Sequence, residues 1–565
     1  MTTSNETQNS RKRWFILCIV SAGLFLISIA LHVLFFVQDG KVSSRSIATT
    51  SKLAGLNFTG KERKLMTRGT ERNRESYNAI RELAMDNSVP PALAFNPVVP
   101  GMTFENEKSG FKLSKQPRID VPENLEDLAF YPVTVLAELI KSRKIASTQL
   151  TLMYLDRLKR YGPKLNCVIT LTEDLALAQA AKADKEIRRG RYRGPLHGIP
   201  FGAKDLLATK GIKTTWGAAP YKDQMIETDA TVIRRLEEAG AVLVAKLSMG
   251  ALAMGDVWFD GKTLNPWNRE QGSSGSSAGS ASATAAGLVG FAIGTETWGS
   301  ITSPSTRCRV TGLRPTYGRV SRYGAMALSW SMDKIGPICR TVEDCAVVFD
   351  AIRGPDGRDL TVVDRPFRWD PNRKLSDLRI GYLRQEFEND TTHTEQNKLA
   401  LETLRSLGAD LIPVELPDFP VMSLSFILSA ESAAAFDDLT RSNRDDLLVR
   451  QGQGAWPNTF RTARLIPAVE YIQANRARTL LMQKMDKAVR NVDLFVAPPR
   501  AGNTSLLTNL TGHPAVVIPL APDDKGNSVS ITFIGGLYQE GKILAVAKTF
   551  QDATDFHLKH PDLDK

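Results

Sequence analysis

Amphipathic helices that close on glycine and lead at once into short, continuously apolar strands govern what this chain can fold into. "TDATVIRRLEEAG" (228–240) opens on a capping residue, keeps helical spacing and ends at Gly240, and "AVLVAK" (241–246) follows directly. The alternation returns in "QNKLALETLRSLG" (396–408) before "ADLIPVEL", and "VDLFVAPP" and "HPAVVIPLA" add further short apolar runs. A strand covered on both faces has no polar side to alternate. Such runs predict a buried, largely parallel sheet between layers of helices. This texture extends over residues 125–560 without an internal repeat.

The N-terminal region reads differently. Residues 14–37, "WFILCIVSAGLFLISIALHVLFFV", are 24 residues without a formal charge. At about 1.5 Å per residue they span roughly 36 Å, against a hydrocarbon core of about 30 Å. The run exceeds the apolar region of a cleaved signal peptide and lacks an A-x-A site after it, so it reads as an uncleaved transmembrane anchor. His32 inside it reads as a tolerated neutral imidazole. Arg11, Lys12 and Arg13 precede the anchor in the short tail 1–13. That charge favours a cytoplasmic N-terminus and places the rest of the chain across the membrane. Residues 38–124 are polar and broken by "VPPALAFNPVVPG", which reads as a stalk carrying one short helix around "ERNRESYNAIRELAM".

The net charge of +11 does not indicate a nucleic-acid partner. Residues 1–75 carry 12 basic and 5 acidic side chains, a balance of +7, which leaves +4 for the other 490 residues. The excess belongs to the anchor and its flanks, where basic residues attract anionic head groups. Five scattered cysteines (Cys18, Cys167, Cys308, Cys339, Cys345) give neither a disulfide framework nor a metal spacing, and the six histidines contain no H-E-x-x-H.

"QGSSGSSAGSASATAAG" (271–287) has the composition of a linker, yet it runs straight into the apolar "LVGFAIGTETWGS" (288–300). It lacks the lysine of a P-loop. "GSSAG" matches G-x-S-x-G around Ser277, but a nucleophile elbow needs a strand just before it, and "NPWNREQGS" reads as loop. "SMDK" (331–334) matches S-x-x-K without the companion S-D-N and K-T-G elements.

Three longer blocks are more specific: "GIPFGAKDLLATKGIKTTWGA" (198–218), "GSSAGSASATAAGLVGFAIGTETWGSITSPSTRCRVTGLRPTYGRVSRYG" (275–324) and "NLTGHPAVVIPLA" (509–521). In this order they resemble the amidase signature family of serine amide hydrolases, over roughly residues 125–560. The resemblance implies an α/β/α sandwich around a mixed, mostly parallel sheet. It also implies a catalytic unit of a nucleophilic serine, a second serine on a cis peptide bond and a lysine. The lysine falls on Lys204 and the nucleophile on Ser300. The family's spacing of 24 residues then selects Ser276 over Ser273, Ser274 and Ser277. The backbone N–H groups of Thr297, Trp298, Gly299 and Ser300 would form the oxyanion hole, and no metal or organic cofactor is implied.

These roles are chemically coherent. A serine hydroxyl needs a base, and a free lysine is neutral in fewer than about one molecule in a thousand at pH 7. Burial would favour the neutral amine, and Ser276 would pass a proton between Lys204 and Ser300. An isolated lysine beside Asp205 would otherwise read as a surface charge; the joint placement in the family blocks reverses that reading.

Several positions depart from the family pattern. Glu296 stands for its aspartate, Trp298 for a glycine and Thr302 for an arginine, and "KLSMGALAMG" (246–255) lacks an acidic residue. Trp298 is expected to narrow the acyl pocket. The reading is therefore a membrane-anchored amidase for a small-molecule amide. The alternatives are the glutaminase subunit of a tRNA-dependent amidotransferase, a fatty acid amide hydrolase-like enzyme, and a catalytically silent tethered binding protein.

Overall fold

The computed structural model describes residues 14, 42–83, 110–116, 119–499 and 501–564. Apart from Trp14, the apolar run 14–37 lies outside the described residues, and among the described residues no helix is long and apolar enough to cross a membrane. Two compact units are present, Met1–Arg74 and Glu75–Lys565.

Toward the N-terminus a pair of helices replaces the single short one expected. The first, Ser44–Leu53, is held by a reciprocal cap between Ser43 and Ser46. The second, Gly60–Arg81, is fixed at its start by Thr59 and Glu62, with Thr59 N donating to Glu62 Oε2 (2.6 Å) and Glu62 N to Thr59 Oγ1 (3.3 Å). T-x-x-E is a capping-box signature, and it sets the helix start well ahead of the stretch that polarity alone indicates.

Eleven strands of the larger unit join one sheet. In chain order they are β1 (Val168–Leu171), β2 (Pro200–Lys204), β3 (Val242–Leu247), β4 (Phe291–Glu296), β5 (Thr311–Arg314), β6 (Lys334–Cys339), β7 (Ile380–Tyr382), β8 (Leu411–Pro413), β9 (Leu494–Ala497), β10 (Ala515–Pro519) and β11 (Ser530–Gly535). Across the sheet they run β8-β7-β9-β11-β10-β5-β6-β4-β2-β3-β1.

Helices cover both faces, as the continuous apolar runs require. Along β3, Leu243 packs with Phe201 and Phe291 in one core, whereas its neighbours Val242 and Val244 pack with Leu155 and Ala283 in another. The α/β class and the mixed sheet are as expected. The expectation of a mostly parallel sheet is corrected: four pairings are parallel (β7 with β8 and β9, β2 with β3 and β4) and six are antiparallel. Burial on both faces produces an apolar run whichever way a strand points, so the runs report the covering helices and not strand direction.

Three helices shape the site: α1 (Ala278–Ala285), α2 (Thr302–Cys308) and α3 (Thr504–Leu510). Every residue of α1, AGSASATA, is buried. At Gly279 a Cβ would lie 2.5 Å from both Cys167 O and Ser248 N, so only glycine permits this approach. The hydroxyls of α1 find acceptors inside the core: Ser280 donates to Ile293 O (3.0 Å) and Ser282 to Leu264 O (2.8 Å). The linker-like composition is that of a core helix packed against backbone.

Candidate active site

β2 and β4 are neighbouring parallel strands, so the chain leaves both at the same edge of the sheet, the usual place for ligands in α/β folds. Lys204 is the last residue of β2 and is fully buried. Its Nζ donates to Ser276 Oγ (2.8 Å), Ser277 Oγ (3.1 Å), Thr295 Oγ1 (2.9 Å) and Thr295 O (3.4 Å). It is no surface charge beside Asp205, because Asp205 pairs with the equally buried Lys246 (3.0 Å) of β3 and accepts from Thr215 N (2.7 Å). Among the described residues Lys204 has no carboxylate within ion-pair distance. Burial pushes its pKa down to about 7, against a weaker upward pull from the charges of Asp333 and Glu296.

The peptide bond between Gly275 and Ser276 is cis, at the position expected. Of the two serines that meet Lys204, Ser277 is already committed: its Oγ donates to Thr295 O (3.1 Å) and accepts from Thr295 N (3.1 Å). Ser276 is left as the hydroxyl able to hand a proton onward.

Ser300 lies on the turn after β4, 8% exposed, and its carbonyl accepts from Ser277 N (3.1 Å), tying the two serine segments together. Among the described residues its Oγ has no hydrogen-bond partner, so the relay is closed between Lys204 and Ser276 and open between Ser276 and Ser300. Catalytic hydrogen bonds commonly tighten only with substrate present. The N–H groups of Trp298, Gly299 and Ser300 likewise donate to no acceptor among the described residues, and Gly299 holds a φ of +83°, which favours glycine. Unpaired backbone donors beside a serine are what an oxyanion hole requires.

A buried carboxylate fixes this turn. Glu296, the last residue of β4, accepts from Ile301 N and Thr302 N (2.9 Å each) and from Thr302 Oγ1 (3.1 Å) through Oε2. Its Oε1 accepts from Arg314 Nη1 and Asn509 Nδ2 (2.9 Å each). Burial alone would raise its pKa, but Arg314, the Thr302 N–H and Asn509 outweigh burial and lower it to about 2. The two departures at 296 and 302 are thus in direct contact. Asp333, half-buried, accepts from Thr297 Oγ1 (2.5 Å), Leu328 N (2.8 Å) and Ser329 N (3.0 Å), anchoring the start of the same turn. In the sequence Glu296 stands out only as a departure; Arg314 and Asn509 lie inside the blocks 275–324 and 509–521 and Asp333 inside "SMDK", but nothing in those patterns marks them as partners of the turn that carries Ser300.

Two hollows meet this turn. A cavity of about 370 Å³ is lined by Thr295 and Thr297, by Leu206 two residues after Lys204, and by Tyr323, Met326 and Leu328. A larger one of about 940 Å³ meets Trp298, Gly299, Thr302 and Ser303 together with residues from 497 to 534. The smaller contains Thr295, which bonds Lys204, and Thr297 at the start of the turn; the larger contains Trp298 and Gly299. The side chain of Trp298, expected to narrow the acyl pocket, is 37% exposed and lines the larger hollow. Among the described residues there is no group of His, Cys, Asp and Glu side chains able to hold a metal, and Cys167, Cys308, Cys339 and Cys345 are free and buried.

The profile of the Amidase family matches residues 149–544, which contain the whole of this constellation. The chain belongs to the amidase signature family. Among curated relatives of this amidase, the A subunit of glutamyl-tRNA(Gln) amidotransferase from Methylococcus capsulatus is 35% identical over 477 residues, covering 75% of this chain and 98% of that protein. Among solved structures, native peptide amidase from Stenotrophomonas maltophilia superposes with a TM-score of 0.70 at 31% identity, covering 78% of this chain and all of that one. An amidase family protein from Bacillus anthracis gives a TM-score of 0.69 at 26% identity over 78% of this chain. As a member of this family the chain is a hydrolase acting on carbon–nitrogen bonds.

Proposed function

We propose that the chain hydrolyses an amide through an acyl-enzyme on Ser300. Lys204, neutral, takes a proton from Ser276, which takes one from Ser300 as its Oγ attacks the carbonyl carbon. The N–H groups from Thr297 to Ser300 receive the developing oxyanion. The proton returns by the same path to the leaving nitrogen, and water then releases the acid. The observation that carries the reading is the buried Lys204, without a carboxylate partner among the described residues and 2.8 Å from Ser276 Oγ.

The relatives favour one form of this reading, the glutaminase subunit of an amidotransferase: the similarity to the Methylococcus capsulatus protein covers 98% of its length at 35% identity. In that form the amide is the side chain of glutamine, and the ammonia passes to partner subunits. A stand-alone amidase is favoured by the likeness to peptide amidase. A silent scaffold is disfavoured by retention of Lys204, Ser276 and Ser300 together. Glutamine separates the forms. A glutaminase subunit is expected to hydrolyse glutamine in preference to short alkyl amides, and no turnover of glutamine by the chain, alone or with amidotransferase partner subunits, would remove that form.

Anchoring through residues 14–37 belongs to the same proposal and is supported by the uncharged run alone. One labelling experiment tests both claims. A fluorophosphonate probe is expected to label the wild-type chain in the membrane fraction and to leave Ser300→Ala unlabelled. Deletion of residues 1–40 is expected to move the label to the soluble fraction. Equal labelling of Ser300→Ala removes the assignment of the nucleophile, and wild-type label found in the soluble fraction removes the anchor.

A further inference from the structure

The walls of the 370 Å³ cavity carry several charged side chains, and their pairing leaves one sign uncompensated. Arg322 is committed: it binds Asp359 (3.0 Å), donates to Thr361 Oγ1 (2.8 Å) and Trp330 O (2.5 Å), and lies over the ring of Tyr317. Asp359 is taken up by Arg322, and Asp333 by Thr297 and two backbone N–H groups. Lys334 is buried and donates to Met332 O. Arg358 is different. It is exposed, stacks over the ring of Tyr323 at 4.7 Å, and among the described residues has no carboxylate within ion-pair distance. The nearby Asp356 is occupied by Thr231, Ser321 and the backbone N–H groups of Arg358 and Asp359.

We propose that Arg358 recognises a carboxylate on the acyl portion of the substrate. The preferred amides would then be those whose acyl chain ends in an anionic group, with the hydrocarbon between lying against Leu206, Met326 and Leu328. This inference rests on the reading of Ser300 as the nucleophile and takes the cavity that holds Thr295 and Thr297 as the acyl pocket. An arginine placed over an aromatic ring keeps N–H groups available for two-pronged contact with a carboxylate, and the ring contact limits the rotamer freedom lost on binding. The apolar side chains of Leu206, Met326 and Leu328 in the same lining match a short methylene chain.

The test compares glutaramate with pentanamide, which share a chain length and differ in ending in a carboxylate or a methyl group. Wild type is expected to favour glutaramate by about ten- to a hundredfold in kcat/KM, the range of a charge-assisted hydrogen bond. Arg358→Ala is expected to bring the ratio near one through KM while leaving pentanamide hydrolysis unchanged, and Arg358→Lys to restore some of the preference. Both amides are also measured as competitors of fluorophosphonate labelling at Ser300, so the preference is readable without turnover. Equal handling of the two amides by wild type, or an unaltered ratio in Arg358→Ala, overturns the inference and leaves the amidase reading standing. Absence of labelling at Ser300 would instead sink the parent reading and this inference with it.

Discussion

Raising the pH from about 5 to about 8 is expected to increase kcat/KM along one limb with its midpoint near pH 7, and Lys204→Met is expected to abolish it, with a loss of at least about a thousandfold. The direction follows from the base. Only the neutral amine can accept a proton from Ser276, so the rate tracks the deprotonated fraction and falls about tenfold for each pH unit well below the midpoint. An ordinary lysine would place that limb near pH 10, beyond the working range; burial of the Lys204 ammonium brings it down. Stability should move in the same sense as activity. The folded state releases the Lys204 proton from about pH 7, whereas the unfolded chain holds it to about 10.5, so this group makes the fold more stable as pH rises through that window. Lys204→Met removes the cost of a buried ammonium and the associated pH slope. Thermal melts from about pH 7 to about 10.5, beside steady-state kinetics from pH 5 to 8, separate a base from a packing residue. A flat profile between pH 5 and 8, or a Lys204→Met variant within about tenfold of wild type, would exclude Lys204 as the base.

How much of this site is legible in the chain differs from residue to residue. Lys204, Ser276 and Ser300 sit in blocks whose spacing is fixed by the local fold: a strand end, a turn into an all-small helix and the turn after the next strand. Such spacing survives in sequence. The groups that hold the turn lie partly in the same blocks, Arg314 and Asn509 among them, but their pairing with Glu296 is not marked there. Arg314 and Asn509 reach Glu296 across 18 and 213 residues, and Asp333 reaches Thr297 across 36. Neither composition nor periodicity can pair residues whose only link is how strands, helices and turns are brought together in the fold. The same dependence on strand order hides the antiparallel pairings around β5 and β6, whose buried runs resemble those of the parallel strands. The T-x-x-E start of the helix Gly60–Arg81 is visible in sequence, but the uniformly polar stretch around it masks where the helix begins.

Glu296→Gln is expected to be nearly as damaging to activity as loss of a catalytic group, although Glu296 touches no reacting atom. The carboxylate accepts from five donors, two of them backbone N–H groups of the turn that carries Ser300. An amide leaves the Arg314 charge buried without its partner and turns an N–H₂ group toward a donor. Breaking a buried pair from one side costs about 3–5 kcal/mol. The expected result is a lowered Tm, with kcat reduced more than KM because the turn positions the oxyanion donors. The carboxylate is held near pH 2 in the fold against about 4.5 when free, so its contribution is complete above 4.5 and is lost as pH falls from there toward 2. Glu296→Gln should therefore flatten the acid limb of the stability curve in that window. Glu296→Asp tests whether reach matters: the shorter carboxylate retreats from Ile301 N and Thr302 N, and activity is expected to fall. Adding Thr302→Arg, the pair of side chains expected from the family pattern, should return some of it, since the two positions are in contact. If Glu296→Gln keeps wild-type Tm and kcat, the buried carboxylate does not hold the turn. If the double variant recovers no more activity than Glu296→Asp alone, residues 296 and 302 do not act as a coupled pair.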